Sequence, residues 1–281
     1  MKIFWIGTGV MGAPMAKHLA NAGYEVFAYN RTIEKAKALL PDIQVCQTIE
    51  EGVKKADVVF TIVGYPQDVD EVYQEIIKHA KPNTILIDMT TSSPVLAKII
   101  NEKAQAKQLH FLDAPVTGGD IGAINGTLSI MVGGDEKIYE KIVPLLRCLG
   151  KTITYMGEAG SGMMAKLVNQ VVIAGNILGI AEGLTLAKDQ GLNLEKMLQV
   201  ITGGSANSWQ AQNNGPKMLV RDDEPGFFIK HFLKDLNLAL EASAALDLPV
   251  LKAAQKAYEM LSKNDYAEKG TQAVIAAYDK K

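Results

Sequence analysis

Lys166 stands one helical turn after a glycine pair in Gly160-Ser-Gly-Met-Met-Ala-Lys166-Leu-Val-Asn169-Gln170. Lys166, Asn169 and Gln170 are spaced i, i+3, i+4, so on a helix they share one face. The residues around them are apolar. A polar face at the start of an apolar helix needs a partner, and a bound substrate is the partner expected. A second stretch, Ala114-Pro-Val-Thr117-Gly118-Gly119-Asp120, offers binding chemistry of its own. With no side chains at 118 and 119, successive backbone amides can converge on a carboxylate, beside the Thr117 hydroxyl. A plain Gly-Gly turn accounts for the same residues.

Phosphate chemistry is legible at the N-terminus. The apolar run Lys2 to Ile6 leads at once into Gly7-Thr8-Gly9-Val10-Met11-Gly12, and then into a helical pattern through Leu19. Strand, Gly-x-Gly-x-x-Gly, helix is the context that distinguishes a dinucleotide site from an ordinary glycine-rich turn. The first glycine permits the turn, the second lets a pyrophosphate approach, and the third lets helix pack on strand. The phosphate then meets the free amides of the helix N-terminus. The next strand, Glu25 to Tyr29, ends in Asn30-Arg31-Thr32. An NAD site usually carries Asp or Glu here to bond the ribose 2′-hydroxyl. An uncharged residue followed by a guanidinium suits the extra phosphate of NADP instead. NADP(H) is therefore favoured over NAD(H). Thr32 either adds a hydroxyl to that site or caps the helix from Ile33 to Leu40.

The elements that must position these groups alternate through the first part of the chain. Thr48 to Glu51 has capping-box spacing. Asp57 to Val63 is an apolar strand whose exit, Val63-Gly64-Tyr65-Pro66, lies where ligands bind beyond parallel strands and is assigned to the cofactor. Asp68 then starts a helix. Thr84 to Asp88 is a strand followed by Met89-Thr90-Thr91-Ser92-Ser93-Pro94, in which Ser93 and Pro94 read as N-cap and first helical residue. Thr91 then faces the cofactor, or the loop's hydroxyls merely cap their helix. His110 to Asp113, Leu128 to Val132, a helix from Glu136 to Leu149, and Thr152 to Met156 complete an α/β region.

Beyond it no strand-like run appears. A helix from Met163 to about Gln190 reads as a span between domains. Asn193 to Ile201 is helical, and Thr202 to Trp209 is either a pocket rim or a helix junction. Lys234 lies near the start of another helix, where a cation opposes the macrodipole and calls for an anion: Asp235, a cofactor or a substrate. Helices over Val250 to Ser262 and Glu268 to Tyr278 close the chain. The domains expected are 1–161, a Rossmann-type doubly wound sheet, and 162–281, all helical.

Composition narrows the partners. The chain has 281 residues, a formal charge of −2 and two cysteines, Cys46 and Cys148. The charge argues against nucleic acid or an anionic membrane. The cysteines fit neither a disulfide framework nor a zinc site, and the first residues read as a strand running into a glycine loop rather than a signal peptide, so the expected location is cytoplasmic. His18, His79, His110 and His231 have no metal-ligand spacing, and no metal is expected. The stretch Leu167 to Ala187 carries Asn169, Gln170, Asn176 and Glu182, too polar for a membrane span. Burial between domains or subunits explains it better, so a homodimer or homotetramer is expected.

Together these motifs resemble the β-hydroxyacid dehydrogenase family, which includes 3-hydroxyisobutyrate dehydrogenase, tartronate semialdehyde reductase and glyoxylate/succinic semialdehyde reductase. The likeness runs nearly end to end. It covers Gly7-x-Gly9-x-Met11-Gly12, Asp88 to Thr91, Asp113-Ala-Pro-Val-Thr117-Gly-Gly119, Gly160-x-Gly162-x-x-x-Lys166 and Lys234-Asp235-Leu236. The resemblance implies Lys166 as catalytic residue, Thr117, Gly118 and Gly119 as the substrate carboxylate site, and Thr91 and Lys234 as cofactor or substrate contacts. Asn30-Arg31-Thr32 is similar to the NADPH-using reductase branch. Thr117 stands where the family more often has Ser. Gln170 stands where it usually has Asn, so either Asn169 or Gln170 supports the lysine. The related imine reductases lack this lysine, and its presence favours carbonyl chemistry.

The reaction so implied moves hydride between a nicotinamide and a small hydroxy acid or semialdehyde. The negative charge left on the carbonyl oxygen must be stabilised and protonated. An ammonium does both where burial or a neighbouring cation draws its pKa towards neutrality. Two other classes remain: a catalytically silent NADP-binding regulatory protein, and an oxidative decarboxylase of the 6-phosphogluconate dehydrogenase type.

Overall fold

The computed structural model describes residues 1–279 of the chain. Its first elements are β1 (Lys2–Ile6), α1 (Gly12–Asn21), β2 (Glu25–Tyr29), α2 (Ile33–Lys37), β3 (Gln44–Val45), α3 (Ile49–Val53), β4 (Val58–Thr61) and α4 (Pro66–His79). They are followed by β5 (Ile85–Asp88), α5 (Pro94–Gln105), β6 (His110–Asp113), β7 (Val116–Thr117) and α6 (Gly119–Asn125). Then come β8 (Leu128–Gly134), α7 (Glu136–Leu146) and β9 (Gly150–Gly157). Among the described residues the strands form one sheet in the order β3-β2-β1-β4-β5-β6-β8-β7, with β9 beside β8. The first six spatial positions are all parallel and give the 3-2-1-4-5-6 order of a doubly wound dinucleotide fold.

Alternation along β1 shows how the sheet is held. Ile3 and Trp5 belong to one buried cluster with Phe60 and Ile87, while Phe4 and Ile6 belong to another with Val59 and Leu86. Both faces are therefore covered by helices, which is why the central strands read as continuous apolar runs. The strand order reverses between β1 and β4, and the loops after these two strands flank that switch point.

The chain divides into two compact units, Met1–Lys166 and Leu167–Lys281. The expected boundary preceded the long helix; the observed one falls inside its early turns. That helix is α8 (Ser161–Asp189), followed by α9 (Leu194–Gly203), α10 (Trp209–Val220), α11 (Ile229–Ala242) and α12 (Pro249–Leu261). The second unit packs Ile177, Leu184, Phe232, Leu236, Leu251 and Tyr258 into one core. By length and composition α8 does pass as apolar enough to cross a membrane, contrary to the expectation from its polar residues. Yet 44% of its most apolar window is buried within the protein, as in the core helix of a globular unit.

Several elements differ from the sequence reading for identifiable reasons. The Thr202 to Trp209 stretch joins α9 to α10, the junction being one of its two readings, and α10 continues through Gly215-Pro216, a pair that ordinarily ends a helix. A Cβ on Gly215 would come 2.6 Å from Leu198 Cδ1, so the glycine lets α10 pack close against α9. Helix α4 begins at Pro66 rather than Asp68, because Pro occupies the first helical position and the Asp68 carboxylate accepts from the N–H of the N-cap residue Tyr65. Helix α2 ends at Lys37, short of Leu40. Residues Thr271–Tyr278 form a 3-10 helix rather than an α-helix beginning at Glu268.

Candidate active site

The glycine loop is shaped by two glycines that must be glycine and one that faces open space. A Cβ on Gly7 would lie 2.0 Å from the Ile62 carbonyl oxygen, and one on Gly12 would lie 1.9 Å from that of Gly7. A Cβ on Gly9 would meet nothing within 4 Å. The loop is thus tight where it must turn and open where a pyrophosphate would approach, so these residues fit a dinucleotide. Thr8 is buried and its Oγ1 has no hydrogen-bond partner within the protein. Its backbone N–H donates to Asn30 Oδ1 at 2.9 Å, and Asn30 Nδ2 donates to the Thr32 carbonyl at 3.0 Å. Asn30 therefore ties the glycine loop to the turn after β2. Thr32 takes the N-cap position of α2 without a side-chain cap bond. Arg31 is exposed and donates from Nη1 to Asp68 Oδ1 at 2.9 Å.

Loops after β4 and β5 are joined by a buried polar network. Thr61 Oγ1 donates to Asp88 Oδ1 at 2.9 Å and lies 3.0 Å from the Tyr73 hydroxyl. The Thr90 N–H donates to the same Asp88 oxygen, and the Val63 N–H donates to Thr90 Oγ1 at 3.0 Å. Burial pushes the Asp88 carboxyl up to about 6, against the hydrogen bonds from Thr90 and Thr61. The network fixes Val63 and Thr90, and so the backbone that leads to Gly64, Tyr65 and Thr91. Ser93 caps α5 as expected, accepting from the Leu96 N–H.

Asp113 is the residue that sequence reasoning quoted but gave no role. It ends β6 fully buried, in register with Asp88 on β5. Its two oxygens accept backbone bonds from Gly160 and Met163, each 2.7 Å, at the start of α8. Burial raises the Asp113 carboxyl, and the backbone amides pull it back. A Cβ on Gly162 would lie 2.5 Å from the Met131 carbonyl oxygen and 2.6 Å from that of Asp113. That close approach is the physical content of Gly160-x-Gly162. Lys166 follows one turn later, 6% exposed. Asp113 also opens the segment that runs through β7 to Thr117, Gly118 and Gly119. Gly118, at φ 130°, is the N-cap of α6, and Gly119, at φ 66°, faces open space. Both are conformations an L side chain resists.

In the second unit Gln170 is buried and committed. Its Nε2 donates to Asp235 Oδ2 at 2.7 Å, and its Oε1 accepts from Asn169 Nδ2 at 3.1 Å. Lys234 Nζ is 3.2 Å from Asp235 Oδ1, which gives that lysine the anion its position called for. This contact has ion-pair distance without hydrogen-bond geometry, since Asp235 Oδ1 accepts no hydrogen bond. Among the described residues no group of His, Cys, Asp and Glu is placed to hold a metal ion. His18 bonds the Ala123 and Ile124 carbonyls, and His79 sits between Glu50 and Glu75.

Comparison with known proteins matches residues 2–157 to the NAD binding domain of 6-phosphogluconate dehydrogenase. Residues 160–278 match the family described as NAD-binding of NADP-dependent 3-hydroxyisobutyrate dehydrogenase. The chain is 43% identical to the probable 3-hydroxyisobutyrate dehydrogenase-like 1, mitochondrial, of Arabidopsis thaliana, over 99% of this chain and 85% of that one. It is 34% identical to 2-hydroxy-3-oxopropionate reductase of Escherichia coli, over 99% and 97% of the two chains. Among solved structures it resembles Mycobacterium tuberculosis 3-hydroxyisobutyrate dehydrogenase with L-serine, at TM-score 0.92 and 33% identity over 99% of both chains.

Proposed function

We propose, from the premise that the chain belongs to the β-hydroxyacid dehydrogenase family, that it is an NADP(H)-preferring reductase of short semialdehyde or keto acids with Lys166 as general acid and base. That it is an oxidoreductase acting on CH–OH groups follows from the family. The finer reading rests chiefly on one observation: a buried lysine follows a helix start pinned by Asp113, the residue that opens the Thr117-Gly118-Gly119 segment.

A bound nicotinamide dinucleotide supplies or accepts the hydride. Gly7, Thr8, Gly9, Val10, Met11 and Gly12 would hold its pyrophosphate, with Arg31 beside its ribose and Val63, Gly64, Tyr65 and Thr91 along its flank. The amides of Gly118 and Gly119, with the Thr117 hydroxyl, hold the substrate carboxylate and so fix the reacting carbon. In reduction Lys166 Nζ donates a proton to the carbonyl oxygen; in oxidation it removes one from the hydroxyl. Help of this kind is worth about 10²–10⁴ in rate. The family resemblance extends the assignment to Asn169 and to Lys234. A cytoplasmic homodimer or homotetramer remains our expectation.

Titration with NADPH and NADH, followed by turnover of glyoxylate, succinic semialdehyde, tartronate semialdehyde and methylmalonate semialdehyde, tests the reading. Turnover of one of them with NADPH preferred supports it. Tight binding with no turnover across the panel favours the silent, regulatory alternative, and release of carbon dioxide from a hydroxy acid favours the decarboxylase.

A further inference from the structure

Arg31, the residue on which the NADP preference rests, is already engaged. Its Nη1 bonds Asp68 Oδ1 at 2.9 Å. Asp68 is itself fixed, because its other oxygen accepts from the Tyr65 N–H at 3.0 Å at the start of α4. The Asp68 side chain is 21% exposed, whereas that of Arg31 is 83% exposed. The rigid partner is therefore the carboxylate, and the guanidinium is the part that must answer to it. A β2-end arginine meets a 2′-phosphate with its full charge only where nothing else neutralises it.

We infer that Asp68 is a specificity-determining residue that competes with the 2′-phosphate of NADP(H) for Arg31 and so brings NADPH and NADH closer in affinity. The inference rests on the reading that the glycine loop holds a nicotinamide dinucleotide. Asp68 acts in two ways. It occupies Nη1, so that only the remaining guanidinium donors reach a phosphate. It also places a negative charge beside a dianionic group, which repels it even in a watery setting. NADH lacks that phosphate and feels neither effect. The chain would thus use both nucleotides, with a preference set by a single carboxylate at the start of α4.

Asp68→Asn is the discriminating change, because an Asn amide oxygen can still accept from the Tyr65 N–H and keep the helix cap. Direct binding titrations of NADPH and NADH to wild type, Asp68→Asn and Arg31→Ala give the readout without turnover. The expected result is that Asp68→Asn tightens NADPH by about tenfold and leaves NADH within about twofold. The gain should shrink as salt rises, since the effect is carried by an exposed charge. An unchanged ratio of the two affinities in Asp68→Asn overturns the inference alone. A weaker NADPH affinity also overturns it, because Asp68 would then be orienting Arg31 for the phosphate. A wild type that binds neither nucleotide overturns both the inference and the cofactor reading beneath it, one that binds NADPH alone overturns the inference only, and an Arg31→Ala variant with undiminished NADPH preference removes Arg31 from both.

Discussion

Asp113 and Met163 are joined by a 2.7 Å bond from the Met163 N–H to the Asp113 carboxylate, and the second oxygen of the same group takes the Gly160 N–H at equal length. One buried anion thus satisfies two of the amides that a helix start leaves unbonded. Replacing it with Asn retains the shape but turns an NH2 towards a backbone N–H. Asp113→Asn should lower stability by about 1–3 kcal/mol, seen as a lower midpoint in thermal or urea unfolding. An unchanged midpoint would show that the two bonds are dispensable.

Asp88 should leave a signature in the pH dependence of stability. Its carboxyl is raised by burial from 3.8 to about 6. Below the lower value the group is protonated in both states. Between the two values the unfolded chain loses its proton while the folded chain keeps it, so stability falls as pH rises through this window. The rise is worth about 3 kcal/mol. Asp88→Asn keeps an acceptor for Thr61 and Thr90 but does not titrate. The stability of Asp88→Asn minus that of wild type should therefore grow between about pH 4 and pH 6. A difference that stays flat across that range would mean that Asp88 does not titrate there.

Gly9 and Gly12 separate binding from folding within one motif. Since a Cβ on Gly9 meets nothing in the protein, Gly9→Ala should shift the melting midpoint by less than about 2 °C. The same methyl would meet a pyrophosphate, so nucleotide affinity should fall by at least about tenfold. Gly12→Ala should lose stability as well, because its Cβ would collide with the Gly7 carbonyl. Nucleotide affinity unchanged in Gly9→Ala would move the pyrophosphate elsewhere.

Asn169 and Gln170 could not be ranked from sequence, because both fall on the Lys166 face of one helix. The structure separates their environments. Gln170 is buried against Asp235, so Gln170→Ala leaves a buried carboxylate short of a donor and should cost about 1–3 kcal/mol. Asn169 is half-buried, and Asn169→Ala should lower turnover with a small effect on the midpoint. Melting curves and kcat for both variants check this. Loss of turnover confined to Gln170→Ala, at wild-type stability, would reverse the ranking.

Elements whose signal is local were readable in the residues. The strand–glycine–helix order at Ile6 to Gly12, the Ser93-Pro94 cap and the length of α8 all depend on neighbours in sequence. What escaped depends on contacts between distant residues. Nothing near Asp113 announces that its oxygens meet amides of residues 160 and 163, and nothing near Arg31 announces Asp68. Helix α10 carries Gly215-Pro216, a pair that locally signals a break, yet it runs from Trp209 to Val220. The antiparallel return of β8 beside β6 likewise follows from pairing rather than from any pattern along the strand.

Proton transfer by Lys166 is best examined in Lys166→Ala, with NADPH affinity and single-turnover rate on the best carbonyl acid measured on the same preparation. The expected result is a rate lower by about 10²–10⁴ with NADPH affinity within a few fold of wild type. A variant that turns over at the wild-type rate, or that loses NADPH binding while keeping its residual turnover, would contradict it.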